Sequence, residues 1–269
     1  MQKKLPEFEG LQTTLNGAVA EVELRRAPHN FFDAQLIGDL AGTFEHLSQR
    51  DDCRAIVLAA DGESFCAGAD FGDPNELDPD GNAPNAPDRD ELAELYEQAA
   101  RLFDCAKPVI AAVHGAAIGG GFGLAVMADF RVTCSEARFS ANFSRLGIHP
   151  GFGLTVTLPR LVGPQKAGLI FATSRRWKGC EAFELGLADV LVAKDQVRTA
   201  AHKLADEIAS NAPLAVQATR AVLRGDLASS VRRATPSELQ IQTELRKTDD
   251  FREGIAAAKE RRTPEFRGS

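Results

Sequence analysis

Lys107-Pro108-Val109-Ile110-Ala111-Ala112-Val113-His114-Gly115-Ala116-Ala117-Ile118-Gly119-Gly120-Gly121-Phe122-Gly123-Leu124-Ala125 is a short apolar run that ends in a cluster of glycines and resumes as Ala, Leu, Val and Met through Met127. A buried strand feeding a tight turn and a buried helix is the reading such a pattern supports. The glycines fall where that helix begins. Lacking Cβ atoms, they let another molecule approach bare backbone N–H groups, and a helix N-terminus favours negative charge. An anion, or an oxygen becoming anionic, is suited to that position, although close helix-to-strand packing would call for the same glycines.

Outward from this stretch, residues 11–24 read as two short strands about a turn at Asn16-Gly17. Leu36, Ile37, Leu40, Phe44 and Leu47 follow helical spacing, with Asp33 as the expected cap. Residues 54–60 form a continuous apolar run of the kind a strand covered on both faces requires. Residues 71–90 are acidic and rich in proline, so a mobile surface segment is expected there. A helix over 90–105 then leads into the opening stretch. Beyond it, 130–134 and 137–140 are strand-like, 143–153 irregular, and 155–161 and 165–173 helical, Pro159 interrupting the first. From about residue 192 the composition turns to Ala, Lys, Arg and Glu with helical spacing. The pattern predicts a layered α/β core over residues 1–195 and a helical section over 196–269.

Composition narrows the function. The chain has 269 residues, 44% of them hydrophobic and 26% charged, as in ordinary soluble proteins. No apolar run reaches the roughly 18 residues that span a bilayer. Met1 to Gly10 has polar and acidic residues where a signal peptide has an apolar stretch, so a cytoplasmic location is expected. The net charge of −7 argues against general nucleic-acid binding. Cys53, Cys66, Cys105, Cys134 and Cys180 are widely spaced, odd in number and form no CxxC pair, which fits reduced thiols better than disulfides or a zinc site. The spacing of Gly119-Gly120-Gly121-Phe122-Gly123 differs from GxGxxG, and no GxxxxGK[ST] occurs.

A second turn, Phe65-Cys66-Ala67-Gly68-Ala69-Asp70, also ends a buried strand. Two such turns can each aim one backbone N–H at a single oxygen, which is what an oxyanion hole needs. Ser64 to Asp70, Lys107 to Gly121, and Leu146-Gly147-Ile148-His149-Pro150-Gly151 together resemble the enoyl-CoA hydratase/isomerase (crotonase) family. The resemblance runs from about Leu11 to Phe266, and includes Phe251-Arg252-Glu253-Gly254 and Lys259-Glu260-Arg261-Arg262.

The resemblance implies a crotonase-like spiral of ββα repeats, a carboxy-terminal helical trimerisation region, and trimers or dimers of trimers. It implies an acyl-CoA thioester substrate, with coenzyme A as part of the substrate and no other cofactor. The oxyanion amides fall on Ala69 and Gly120, and the carbonyl meeting the CoA adenine falls on Ala67. Gly68 and Phe143 fall against the substrate, and Arg261 where a basic residue meets the CoA end. The two glutamates of hydratases fall on Gly123 and Phe143, neither able to transfer a proton, so standard hydration is in doubt. Acidic positions of other relatives fall on Pro150 and Phe152. His149 and Tyr96 remain as titratable residues near the expected site, and Glu76 or Asp78 could fold over a bound acyl chain. Cys66 reads as a small buried residue rather than a nucleophile. A catalytically silent CoA-ester binder or scaffold is the alternative to an enzyme.

Overall fold

A computed structural model describes residues 5–70 and 87–269. Chain order begins with β1 (Leu11–Asn16), β2 (Val19–Leu24), α1 (Ala34–Ser48), β3 (Ala55–Ala60) and α2 (Arg89–Arg101). There follow β4 (Val109–Val113), β5 (Ala116–Ile118), α3 (Gly120–Met127), β6 (Phe130–Thr133) and β7 (Arg138–Ser140). Then come α4 (Leu154–Val162), α5 (Pro164–Thr173), β8 (Trp177–Lys178), α6 (Gly179–Glu184) and β9 (Val190–Leu191). The chain finishes with α7 (Val197–Ala209), α8 (Pro213–Arg224), α9 (Leu227–Leu245) and α10 (Asp249–Glu260).

Two sheets organise these elements. The larger runs β1-β2-β3-β4-β6-β9, antiparallel at its first pair and parallel thereafter. Its central strands β3 and β4 are buried at every residue, as their unbroken apolar sequences require. The smaller sheet runs β5-β7-β8. The chain passes from β4 to β5 to α3, and from β6 to β7, so successive turns of a spiral visit the large sheet and then the small one.

The sequence reading carried β4 straight into a turn and a helix. In the structure the chain instead bends at Gly115 and adds β5, which pairs with β7 and is bridged by Cys66. A Cβ at Gly115 would lie 3.0 Å from the Cα of Ser64, so only a glycine lets the two segments cross there. The two-residue strands β8 and β9 were also not anticipated, since two residues show no periodicity. Helix α4 continues through Pro159 rather than breaking at it.

Asp33 caps α1 as expected, accepting from the Leu36 amide at 2.8 Å. The acidic, proline-rich segment lies almost wholly outside the described residues, and Glu76 and Asp78 with it. At its described end Asp88 opens α2 with a capping box, accepting from Asp90 and Glu91 while the Glu91 carboxylate accepts from the Asp88 amide. Helix α7, just past residue 195, lies on β3, β4 and β6, while α9 packs against α2 and α4. No residue of α8 is buried. Among the described residues no helix is long and apolar enough to cross a membrane.

Candidate active site

The turn after β3 is held from both sides. Cys66 donates to the Ala116 carbonyl at 2.9 Å and accepts from the Ile118 amide at 3.0 Å, which stitches it to β5. Ala67 donates to the His29 carbonyl at 2.9 Å, and the Gly68 carbonyl accepts from Phe32 at 3.0 Å. Gly68 sits at φ +88°, in the left-handed region. A Cβ there would fall 2.9 Å from the Ile118 carbonyl oxygen and 3.3 Å from the Gly120 nitrogen. The two turns therefore touch through bare backbone.

The second turn is fixed by the Gly119 amide, which donates to the Ser140 carbonyl at 2.9 Å, and α3 starts at the next residue. Among the described residues no acceptor takes the amide of Ala69 or of Gly120. The first amides of a helix lack an intrahelical partner, so Gly120 offers its N–H outward. Both residues line one cavity of about 330 Å³.

Ala67, Gly68, Ala69, Tyr96, Gly120 and Phe143 all line that cavity. His149 and Arg261 do not. The His149 ring turns Nδ1 to the Pro150 carbonyl at 2.7 Å, and Arg261 borders a neighbouring cavity. The remaining walls are largely apolar, with Phe31, Phe32, Phe152, Leu92, Leu95 and Leu146 prominent. Asp70, Asn142, Gln242 and Lys259 add polar groups that were not singled out from sequence. Asp70 and Lys259 fall inside recognised motifs. Gln242 gives no local signal, because its partner Tyr96 is 146 residues away.

Tyr96 donates from its hydroxyl to Gln242 Oε1 at 2.8 Å, and Gln242 Nε2 donates to the His149 carbonyl at 2.6 Å. Burial, assisted by the nearby Glu238 carboxylate, pushes the Tyr96 pKa well above its usual value, so the phenol stays protonated and serves as a hydrogen-bond donor. One turn earlier on α9, Glu238 is only 2% exposed and accepts from the Gly153 amide at 2.8 Å, the Thr155 amide at 3.2 Å and the Thr155 hydroxyl. Burial raises its pKa despite those donors. Burial likewise pushes the Cys66 thiol up to about 12, which leaves no thiolate nucleophile at neutral pH.

Gly123, where the resemblance to hydratases puts a glutamate, has no room for a side chain. A Cβ on Gly123 would lie 2.8 Å from Cδ1 of Phe152 and 2.9 Å from its Cβ. Phe152 adopts φ +61°, is 1% exposed, and stacks on Phe32 with centroids 5.5 Å apart. The Phe152 side chain therefore stands where any side chain at residue 123 would project.

A two-sheet spiral with helices closing one end, and two glycine turns meeting over an apolar cavity, is the crotonase fold. The chain belongs to the enoyl-CoA hydratase/isomerase family, whose model matches residues 14–269. The carnitinyl-CoA dehydratase of Proteus mirabilis is 32% identical over 265 residues, covering 97% of this chain and 99% of its own. That of Salmonella arizonae is 34% identical over 267 residues at the same coverage. An enoyl-CoA hydratase/isomerase from Pseudoalteromonas atlantica matches with a TM-score of 0.82 at 28% identity, over 96% of this chain and 100% of that one. An enoyl-CoA hydratase from Bacillus anthracis matches at 0.72 and 29%, over 97% and 100%.

Proposed function

We propose that this chain is an acyl-CoA enzyme that holds the thioester carbonyl between the amides of Ala69 and Gly120 and stabilises the enolate formed from it. The observation that carries the reading is the pair of unclaimed amides, delivered by two touching turns to one cavity. Preorganised donors of this kind act on charge as it develops, and removing one typically costs about 10² to 10³ in rate. The apolar walls suit an acyl chain and, by excluding water, strengthen both hydrogen bonds.

Hydration through a pair of glutamates is not the chemistry of this site, because Gly123 and Phe143 stand at both positions. Asp70 is the one carboxylate lining the cavity among the described residues, so it is the group we assign to proton transfer. Tyr96, whose hydroxyl proton goes to Gln242, contributes a neutral wall to the cavity, and Arg261 a charge for the CoA end. The same losses at Gly123 and Phe143 support a second reading, a protein that binds CoA esters without turning them over.

Enolate formation is read directly as exchange of the Cα hydrogens of an acyl-CoA in D2O, followed by NMR. Crotonyl-CoA, a benzoylacetyl-CoA and, because the similar proteins are named carnitinyl-CoA dehydratases, crotonobetainyl-CoA are tested for binding by calorimetry. Proline at Gly120 removes the N–H at a helix position that tolerates it, but its ring meets Phe32. The comparison is therefore made in a Phe32→Ala background, Gly120→Ala against Gly120→Pro. Exchange about 10²-fold slower with proline alone supports the oxyanion role. Equal exchange in the two variants refutes it, and binding with no exchange in the parent favours the silent reading.

A further inference from the structure

The acyl cavity opens against the first turn of α3, and two phenyl rings stand along that turn. Gly120 and Gly123 are three residues apart on the helix, so they share a face and lie about 4.5 Å apart along its axis. A Cβ at Gly120 would run into the tip of the Phe32 ring, and one at Gly123 would lie 2.8 Å from Cδ1 of Phe152. Both rings are buried, and they stack on each other with centroids 5.5 Å apart and planes 34° from parallel. An acyl chain whose carbonyl sits on the Gly120 amide therefore meets the Phe152 ring about one helical turn along α3.

The ring is held there at a conformational cost. Phe152 is at φ +61°, a left-handed backbone that a bulky residue rarely adopts and that persists only where its surroundings fix it. On one side Glu238 accepts from the Gly153 amide at 2.8 Å, and on the other Gln242 donates to the His149 carbonyl at 2.6 Å. The remaining walls also stop a long chain. Tyr96 is pinned to Gln242 at 2.8 Å. A neighbouring cavity of about 560 Å³ shares Phe31, Phe32, Asp70 and Leu95 with the acyl cavity, but beyond them it is lined by Asp33, Glu91 and Glu94. An alkyl chain drawn across those carboxylates would strip water from them without replacing its hydrogen bonds. The acyl cavity itself measures about 330 Å³. Since an apolar cavity of about 150 Å³ already takes benzene, it has room for a thioester and one ring or a short chain.

We propose that Phe152 determines acyl specificity: its ring closes the inner end of the cavity, so that the site takes short chains or a single ring and rejects long alkyl chains. The proposal rests on the acyl-CoA reading and adds to it the class of acyl group.

The test is calorimetric titration of the full chain with butyryl-, hexanoyl-, octanoyl- and decanoyl-CoA, in the parent and in Phe152→Gly, where glycine suits the left-handed backbone. Each buried methylene is worth about fourfold in affinity, and in the parent that gain should end at hexanoyl-CoA. In Phe152→Gly the space of the lost ring should carry the gain on to decanoyl-CoA, raising the decanoyl-to-butyryl affinity ratio at least about tenfold. Phe152→Leu keeps more of the wall and should fall between the two, which preserves the test if the glycine variant does not fold. Ile170→Ala, a buried truncation in α5 outside the acyl cavity, should keep the parent's ratio. An equal rise in Ile170→Ala would trace the effect to general loosening and overturn the proposal. So would a parent whose affinity climbs steadily to decanoyl-CoA, or Phe152 variants that bind all four esters with the parent's ratio. A parent that binds none of the esters would instead remove the acyl-CoA reading, and this proposal with it.

Discussion

Installing a glutamate at Gly123 restores a residue type that hydratases of the family use, yet the structure predicts that it destabilises this chain. Its Cβ alone would approach Phe152 to 2.8–3.0 Å at three ring and side-chain atoms. Phe152 has nowhere to withdraw, being 1% exposed, stacked on Phe32, and followed by Gly153, whose amide is gripped by Glu238. Overpacking of this sort costs about 1–3 kcal/mol. Burying a carboxylate against a ring without a donor adds roughly 1–3 kcal/mol more. A total on the order of 2–6 kcal/mol lowers the Tm by roughly 4–24 °C for a chain of this size.

The second arm of the experiment isolates the cause. Phe152→Gly removes the ring and relieves a left-handed φ, but it leaves a cavity, so by itself it costs about 2–4 kcal/mol. In the double variant the glutamate enters the space the ring has left. Urea unfolding of the four proteins forms a double-mutant cycle, and a favourable coupling of at least about 1 kcal/mol is expected between the two sites. Additive losses, or a Gly123→Glu protein as stable as the parent, would refute the claim that the phenyl ring displaces the missing acid.

Three further outcomes are expected. Tyr96→Phe strands the buried Gln242 Oε1 and should cost about 1–3 kcal/mol, while leaving the pH profile of any activity between about 6 and 9 unchanged, because the phenol does not titrate there; a shifted profile would contradict this. Glu238 has its pKa raised by burial, so its contribution is fully present below the ordinary value near 4.5 and declines as pH rises through the folded-state pKa. The stability advantage of the parent over Glu238→Gln should therefore shrink as pH rises above about 4.5, and urea midpoints that diverge instead would count against it. Glu253 is held down to about 2 by the Arg262 guanidinium and the Glu265 amide, so its grip on the tail is present above 4.5 and lost as pH falls through 2. Hydrogen exchange should show the Glu265 amide still protected near pH 3 and exposed by Glu253→Gln, and equal protection in both proteins would remove the assignment.

The meeting of the two glycine turns was legible because it is built from backbone. A strand followed by Gly68-Ala69, and another followed by Gly119-Gly120, carry their geometry in local sequence, and the structure brings both to one cavity. Strands β5, β8 and β9 escaped because two or three residues have no period to detect. The wall opposite the amides was illegible for a different reason. It depends on α9, which reaches back across the sequence to hold the loop before α4: Gln242 joins Tyr96 to the His149 carbonyl, and Glu238 holds Gly153 and Thr155.

That clamp also bears on why His149 is not in the cavity. Its carbonyl is claimed by Gln242, its ring turns to the Pro150 carbonyl, and the two residues after Gly151, Phe152 and Gly153, are both left-handed. Those two residues swing the Phe152 ring inward, against Gly123 and Phe32. One loop conformation thus accompanies two features that sequence presents as unrelated, the histidine turned from the cavity and the filled space beside Gly123. A side chain at residue 151 is excluded by the same arrangement, since its Cβ would lie 2.8 Å from Gln242 Nε2 and closer still to the Tyr96 hydroxyl. Reopening the site to paired-carboxylate chemistry would therefore require changes at 123, 143 and 152 together, with the α9 clamp rebuilt around a different loop.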